Sequence, residues 1–126
     1  MATGLENLKI YAMAKELEIK VFFITKEFPN DEKYRSIDQL RRSSSSVTNN
    51  IAEAYSKRSI KEKIHILRDT VICEVEETRS NLSVCREKKF ADCGKLSVIF
   101  TKYLELIKAV NGYIRFLKQQ TDKPKN

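Results

Sequence analysis

The chain is predicted to be all-α, an antiparallel up-down-up-down four-helix bundle, and three observations lead there. Apolar residues recur at alternating steps of three and four along four stretches, the spacing of one buried stripe per helix. Turn or start signals separate those stretches by only a few residues, at Phe28 to Asp31, at Ser59 and at Phe90 to Gly94. No strand pattern, repeat or interdomain linker is found. The reading is therefore one domain over residues 1–126, with a polar, proline-containing tail fraying from about residue 121.

The first helix is expected from about Leu5 to Phe28. Its seam of Ile10, Ala14, Leu17, Val21, Ile24 and Phe28 steps regularly by four and three. Pro29 stops it, because proline lacks an N–H and disfavours helical geometry in the preceding residue. Two start signals compete for the second helix. Asp31 is the early one, and Ser36-Ile37-Asp38-Gln39 fits a capping box.

The second helix continues to about Lys57 and presents three sides. Ile37, Leu40, Val47, Ile51 and Ala54, with Ser44 filling a gap, form the core seam. Arg35, Gln39, Arg42, Ser43, Ser46, Asn50, Glu53 and Lys57 form a polar contact stripe, at about 100° per residue. Ser45, Thr48 and Ala52 form a small side that a neighbouring backbone can approach. The run Ser43 to Ser46 resembles linker composition, yet the helical spacing passes through it. Serine is a mediocre helix former, so tertiary contact must hold this segment.

Ser59-Ile60-Lys61-Glu62 is a second capping box and opens the third helix. Ile60, Ile64, Leu67, Val71, Val75, Thr78, Leu82 and Cys85 follow one face to about Lys88. So short a link from the second helix makes the two antiparallel neighbours. The fourth helix begins at Asp92 or Lys95 and ends near Gln119. Leu96, Ile99, Tyr103, Leu106, Val110, Tyr113 and Leu117 form its seam. Phe100, Leu104, Ile107 and Ile114 widen its apolar arc, which calls for burial on more than one side.

Charge and cysteine usage narrow the function. The net charge is +7, concentrated in two segments. Residues 33–63 carry eight basic against three acidic side chains, and residues 95–126 carry seven against two. Such a distribution suits either a phosphate-binding footprint or ordinary solubilising charge. The longest apolar run, Val21 to Ile24, is too short to span a bilayer, and no signal-peptide pattern opens the chain. A cytoplasmic protein with no membrane partner is expected. Cys73 and Cys85 on one helix lie about 18 Å apart, beyond disulfide reach. Together with Cys93 they read as reduced thiols.

No covalent chemistry is assembled. Gly4, Gly94 and Gly112 are too scattered for a phosphate loop. The single histidine, His65, sits between two isoleucines on a helix flank. Glu74, Glu76 and Glu77 form an acidic cluster without the Glu-x-x-His pattern of a bundle metal site. No catalytic residue, no metal and no cofactor are expected, and the chain reads as no enzyme.

Binding is the remaining class. Arg41, Arg42, Lys57 and Arg58 are the candidate nucleic-acid contacts, and Arg35, Arg42 and Lys57 share a stripe that can track phosphates. Arg42 equally fits an ion pair at a subunit contact. Most Tyr and Phe fall on apolar seams, so stacking platforms for single strands are not evident. A second basic surface is available at Lys102, Lys108 and Arg115. Asn50 and Glu53 are the candidate oligomer-interface residues, since paired asparagines in mid-helix need a reason that bonding across an interface would supply.

Gln39-Leu40-Arg41-Arg42, Ser46-Val47 and Asn50-Ile51-Ala52-Glu53 together resemble the signature of the four-helix-bundle family named for the 23S rRNA intervening sequence. The resemblance extends upstream through Leu8-Lys9-Ile10-Tyr11, Ala14, Phe28-Pro29 and Tyr34. Downstream it takes in Ser59, Glu62, Leu67, Glu76 and Asn111-Gly112-Tyr113-Ile114. Ala54 stands where the family usually has glycine, and Ile72-Cys73 replaces a common Gly-Ser pair. The resemblance implies a small bacterial bundle similar to members that form homopentameric rings. Some of these are encoded within 23S rRNA gene insertions, and relatives assist retroelement reverse transcriptases. The expected function is a non-enzymatic homopentamer that binds RNA, DNA or a nucleic-acid-processing protein through basic surface. The alternative is an interaction or structural ring with no nucleic-acid role.

Overall fold

A computed structural model describes residues 4–121. The tail expected to fray lies, beyond Thr121, outside the described residues. Four long helical segments carry the fold: α1 (Lys9–Thr25), α2 (Asp38–Ser56), α3 and α4 (Cys93–Thr121). The segment α3 is one rod assembled from Ile60–Ile66, a wide π-helical turn Leu67–Val71, and Ile72–Glu87. Among the described residues there is no strand, and no helix is long and apolar enough to cross a membrane. Helix α1 packs on α2 and α4, and α3 packs on the same two.

The predicted seams are the core. Ile10, Ala14, Leu17, Val21 and Ile24 of α1 join Leu40, Val47, Ile51 and Ala54 of α2 in one buried cluster. Leu67, Val71, Val75, Leu82 and Cys85 of α3 belong to it as well. The wide turn in α3 has a visible cause. Leu67, Val71 and Val75 advance by two consecutive steps of four, which overshoots an α-helical stripe, and a looser turn returns all three to the core.

The serine run is helical and partly interior. Ser43 and Ser44 are buried, and the Ser43 and Thr78 hydroxyls lie 2.7 Å apart, linking α2 to α3. Four serines cost a helix roughly 0.5 kcal/mol each relative to alanine. Burying Leu40, Val47 and Ile51 returns about 1.5–3 kcal/mol apiece, which outweighs that cost. Ser43 therefore belongs to the interior and not to the polar contact stripe.

Three further expectations are corrected. The capping box at Ser36 does not form, because Ser36 lies inside a π-helical turn, Lys33–Ile37, and donates to Glu32 Oε1 at 2.8 Å. Glu32 is buried, and a buried carboxylate needs that donor more than a helix end does. Helical structure instead starts early, at the 3₁₀ turn Asn30–Glu32. The seam of α4 passes through Ile114, which is buried, while Tyr113 is half-buried. Helix α1 proper ends at Thr25, whose hydroxyl folds back onto the Val21 carbonyl at 2.8 Å. The chain then continues to Phe28 in tighter turns, each N–H reaching back three residues.

Ser59 caps α3 as predicted, its hydroxyl accepting from the Glu62 N–H at 3.2 Å. At the far end of α3, Lys89 adopts a left-handed φ of 59°. The Phe90 N–H reaches the Cys85 carbonyl and the Lys89 N–H reaches that of Arg86, the paired bonds of a Schellman cap. Phe90 then packs against Phe28, joining this cap to the end of α1.

Candidate nucleic-acid interface

The four predicted cations fall into two separate places. Arg41 and Arg42 open α2, whereas Lys57 and Arg58 follow its last residue, roughly 22 Å away along the helix axis. Arg41 is half-buried and spans the α1–α2 contact. Its Nε donates to Thr25 Oγ1 at 2.9 Å, its Nη2 donates to the Phe22 carbonyl at 3.3 Å, and its guanidinium lies 4.6 Å from the Phe22 ring centre. Arg42 points outward, with its side chain 79% exposed and Nε 3.1 Å from Asp38 Oδ2. Lys57 is half-buried and Arg58 exposed, and among the described residues neither pairs with a carboxylate.

Arg41 leads to a site that the sequence reading did not assemble. Thr25, Lys26, Phe28, Asn30, Lys33, Ile37 and Arg41 line a cavity of about 420 Å³ where α1 hands over to α2. Its lining holds three cations and no carboxylate. Lys26 Nζ sits 4.6 Å from the Phe22 ring centre and 5.2 Å from that of Phe23. Beside the cavity Tyr34 is 83% exposed, with Lys33 Nζ 5.4 Å from its ring centre and exposed Arg35 next in the chain. Tyr34 is thus an exposed ring off the apolar seams on which most Tyr and Phe fall. The signal was present as the triplet Lys33-Tyr34-Arg35 lying off every apolar seam. Tyr34 sits on the π-helical turn Lys33–Ile37.

Asn50 is half-buried, and its Nδ2 donates to the Ser46 carbonyl at 2.8 Å and to Ser46 Oγ at 3.0 Å. That bonding within α2 gives a mid-helix asparagine one local reason to be there. Glu53 is exposed one turn further on. Of the acidic cluster, Glu76 pairs with Arg79 at 3.3 Å. Burial, then the neighbouring charge of Glu77, raises the Glu74 carboxyl above its ordinary range. Among the described residues no three His, Cys, Asp or Glu side chains are placed to share a metal ion. Cys73 and Cys93 are exposed and Cys85 is buried, all three as free thiols.

The family model described as 23S rRNA-intervening sequence protein matches residues 6–112. The chain belongs to that family. No curated protein matches it. The match covers α1, α2, α3 and most of α4, including the α1–α2 corner and all six predicted site residues. Ala54 is buried with its methyl group inside the core. Ile72 is half-buried against the core and Cys73 is exposed.

Proposed function

We propose that this member of the 23S rRNA-intervening sequence protein family is a non-enzymatic homo-oligomer that holds nucleic acid at the α1–α2 corner. One observation carries the reading: Lys26, Lys33 and Arg41 surround a cavity free of carboxylates, with exposed Tyr34 beside it. Cations without competing acids suit phosphate oxygens, and an exposed ring gives a base a face to stack on. Arg41 keeps part of its fork for this role, since Nε and Nη2 are engaged and a guanidinium has five N–H donors. Lys57 and Arg58 extend the basic surface at the other end of α2, and Arg42 points outward beside Arg41 at the corner.

Binding of a short single-stranded RNA by the purified chain, measured over a range of salt, tests this. The Lys26→Gln, Lys33→Gln double variant is expected to weaken binding to unrelated sequences alike. It should also flatten the salt slope by about one for each phosphate left without its cation. Wild-type protein without measurable RNA affinity near physiological salt would overturn the reading.

The bundle runs up-down-up-down in this proposal, supported by contacts that pair early residues of each helix with late ones of its neighbour. Arg41 meets Phe22 and Thr25, Ser43 meets Thr78, Lys63 meets Tyr55, Arg86 meets Ser97, and Lys95 meets Glu27. Assembly into a ring, pentameric by family resemblance, is supported by apolar surface left outside. Ile19, Phe23 and Val98 are 48%, 59% and 51% exposed along a groove between α1 and α4. Asn50 and Glu53 lie at or beside the subunit contact in this proposal. Light scattering checks both parts: a ring is expected for the wild type and a reduced mass for Asn50→Ala, Glu53→Ala. A monomeric wild type removes the ring, and an unchanged double variant removes those two residues from the interface.

A further inference from the structure

Where α3 begins and α4 ends, an open groove of about 680 Å³ runs beside the α2–α3 turn. Its floor is Ile60, Ile64 and Ile66, all half-buried against the core and none covered. Its rim carries Lys57, Lys61 and Arg68. Glu62 is the one carboxylate in the lining, and Asp69 behind it is held by His65 at 2.7 Å and Arg68 at 3.3 Å. Among the described residues no carboxylate pairs with Lys57 or Lys61.

We propose that this groove docks an acidic amphipathic helix of a partner protein, aliphatic side chains against the three isoleucines and carboxylates against Lys57 and Lys61. Branched aliphatic floors accept the apolar face of a helix, read as anchors three and four residues apart. Unpaired ammonium groups at the edge select acidic flanks and reject basic ones. Nucleic acid fits less well, because the one ring in the lining, His65, is held by Asp69 at 2.7 Å and three isoleucines offer nothing to a phosphate backbone. The chain's own terminal segment carries Lys123 and Lys125, the wrong charge for this rim. A second copy's Glu74, Glu76 and Glu77 have the right charge, but Val84, two turns beyond Glu77, is the one large exposed apolar residue among the described residues of α3, too little to cover three isoleucines. The proposal goes beyond the nucleic-acid reading and shares only Lys57 with it, while the corner that carries that reading stands at the other end of α2, so either can fail alone.

The test is fluorescence anisotropy on the full chain, with a labelled synthetic helix of about four turns as probe. The probe carries leucines at alternating steps of four and three, flanked by glutamates, and a matched probe replaces every glutamate by lysine. The acidic probe is expected to bind at least about tenfold tighter than the basic one. Lys61→Glu, an exposed change that leaves the fold alone, is expected to weaken the acidic probe by about tenfold. The Lys57→Glu, Lys61→Glu double variant is expected to reverse the preference, and Ile64→Asp to abolish binding of both probes. Equal affinity for the two probes, no binding of either, or an unchanged Lys61→Glu variant would overturn the proposal. So would displacement of the acidic probe by single-stranded RNA or by anionic lipid vesicles as effectively as by unlabelled acidic helix.

Discussion

At one end of α2, Lys26 and Arg41 lie on aromatic rings and backbone carbonyls around a polar cavity; at the other, Lys57, Lys61 and Arg68 edge a floor of isoleucines. The two ends share a sign of charge and differ in what lies beneath it. A cation over a polar, ring-flanked cavity is placed for phosphate and base. A cation beside exposed aliphatic surface is placed for a carboxylate on an apolar ligand. Net charge alone names neither ligand, because the desolvated ground next to the charge decides which anion profits.

The largest expected effect is a clean exchange between the two ends. Adding Tyr34→Ala to Lys26→Gln and Lys33→Gln should weaken RNA binding by about 2–4 kcal/mol, since it removes a stacking face together with two phosphate-binding cations. The same triple variant should leave the acidic probe unaffected. Lys57→Gln with Arg58→Gln should do less to RNA, since the exposed ring of Tyr34 stands at the other end. If the two variants lower RNA affinity equally, the ends are not distinguished and the basic surface acts as one.

Stability separates neighbours within the corner. Arg41→Ala removes two hydrogen bonds and a ring contact that join α1 to α2, and should cost about 1–2 kcal/mol in urea unfolding. Arg42→Ala removes a single exposed pair within its own helix and should stay within about 0.5 kcal/mol. Equal costs would show that the Arg41 clamp does not form in solution.

A smaller gain is expected at the cap that meets the corner through Phe90 and Phe28. Lys89→Gly relieves a left-handed backbone position and should stabilise the protein by about 0.5–1 kcal/mol in the same unfolding assay, with RNA affinity unchanged.

The smallest effect lies between the ends, at Glu74. Its carboxyl is raised by burial and by Glu77, so the folded state binds this proton more readily than the unfolded state does. Stability therefore falls as pH rises through the raised value, and the penalty is fully present at neutral pH. Glu74→Gln should raise the melting temperature slightly at about pH 7, and that advantage should vanish as pH falls below the ordinary carboxylate range. A gain of equal size at both pH values would assign it to packing.

The sequence by itself determined the helices and most of the interior, because a stripe repeated every three or four residues leaves a helix one way to hide it. Most of the seams of α1, α2 and α3 was legible, as was the cap at Ser59, but Ser43 and Thr48 are buried from other sides of α2 and Ile37, Ile60 and Ile64 are only half-buried. The wide turn in α3 was not read, since one regular helical face was expected from Ile60 to Cys85. What only tertiary structure decided were the places where one side chain answers to two elements. Ser36 leaves its cap because Glu32 is buried beside it, and Ser43 turns inward because Thr78 stands opposite. Lys89 carries a left-handed cap that glycine would be expected to hold. The α1–α2 corner escaped notice for the same reason. Lys26, Lys33 and Arg41 are far apart in periodicity and become neighbours only when α1 and α2 fold back on each other. Periodicity records what one helix must bury, whereas a binding surface is made by the meeting of several, and no single-helix pattern carries that.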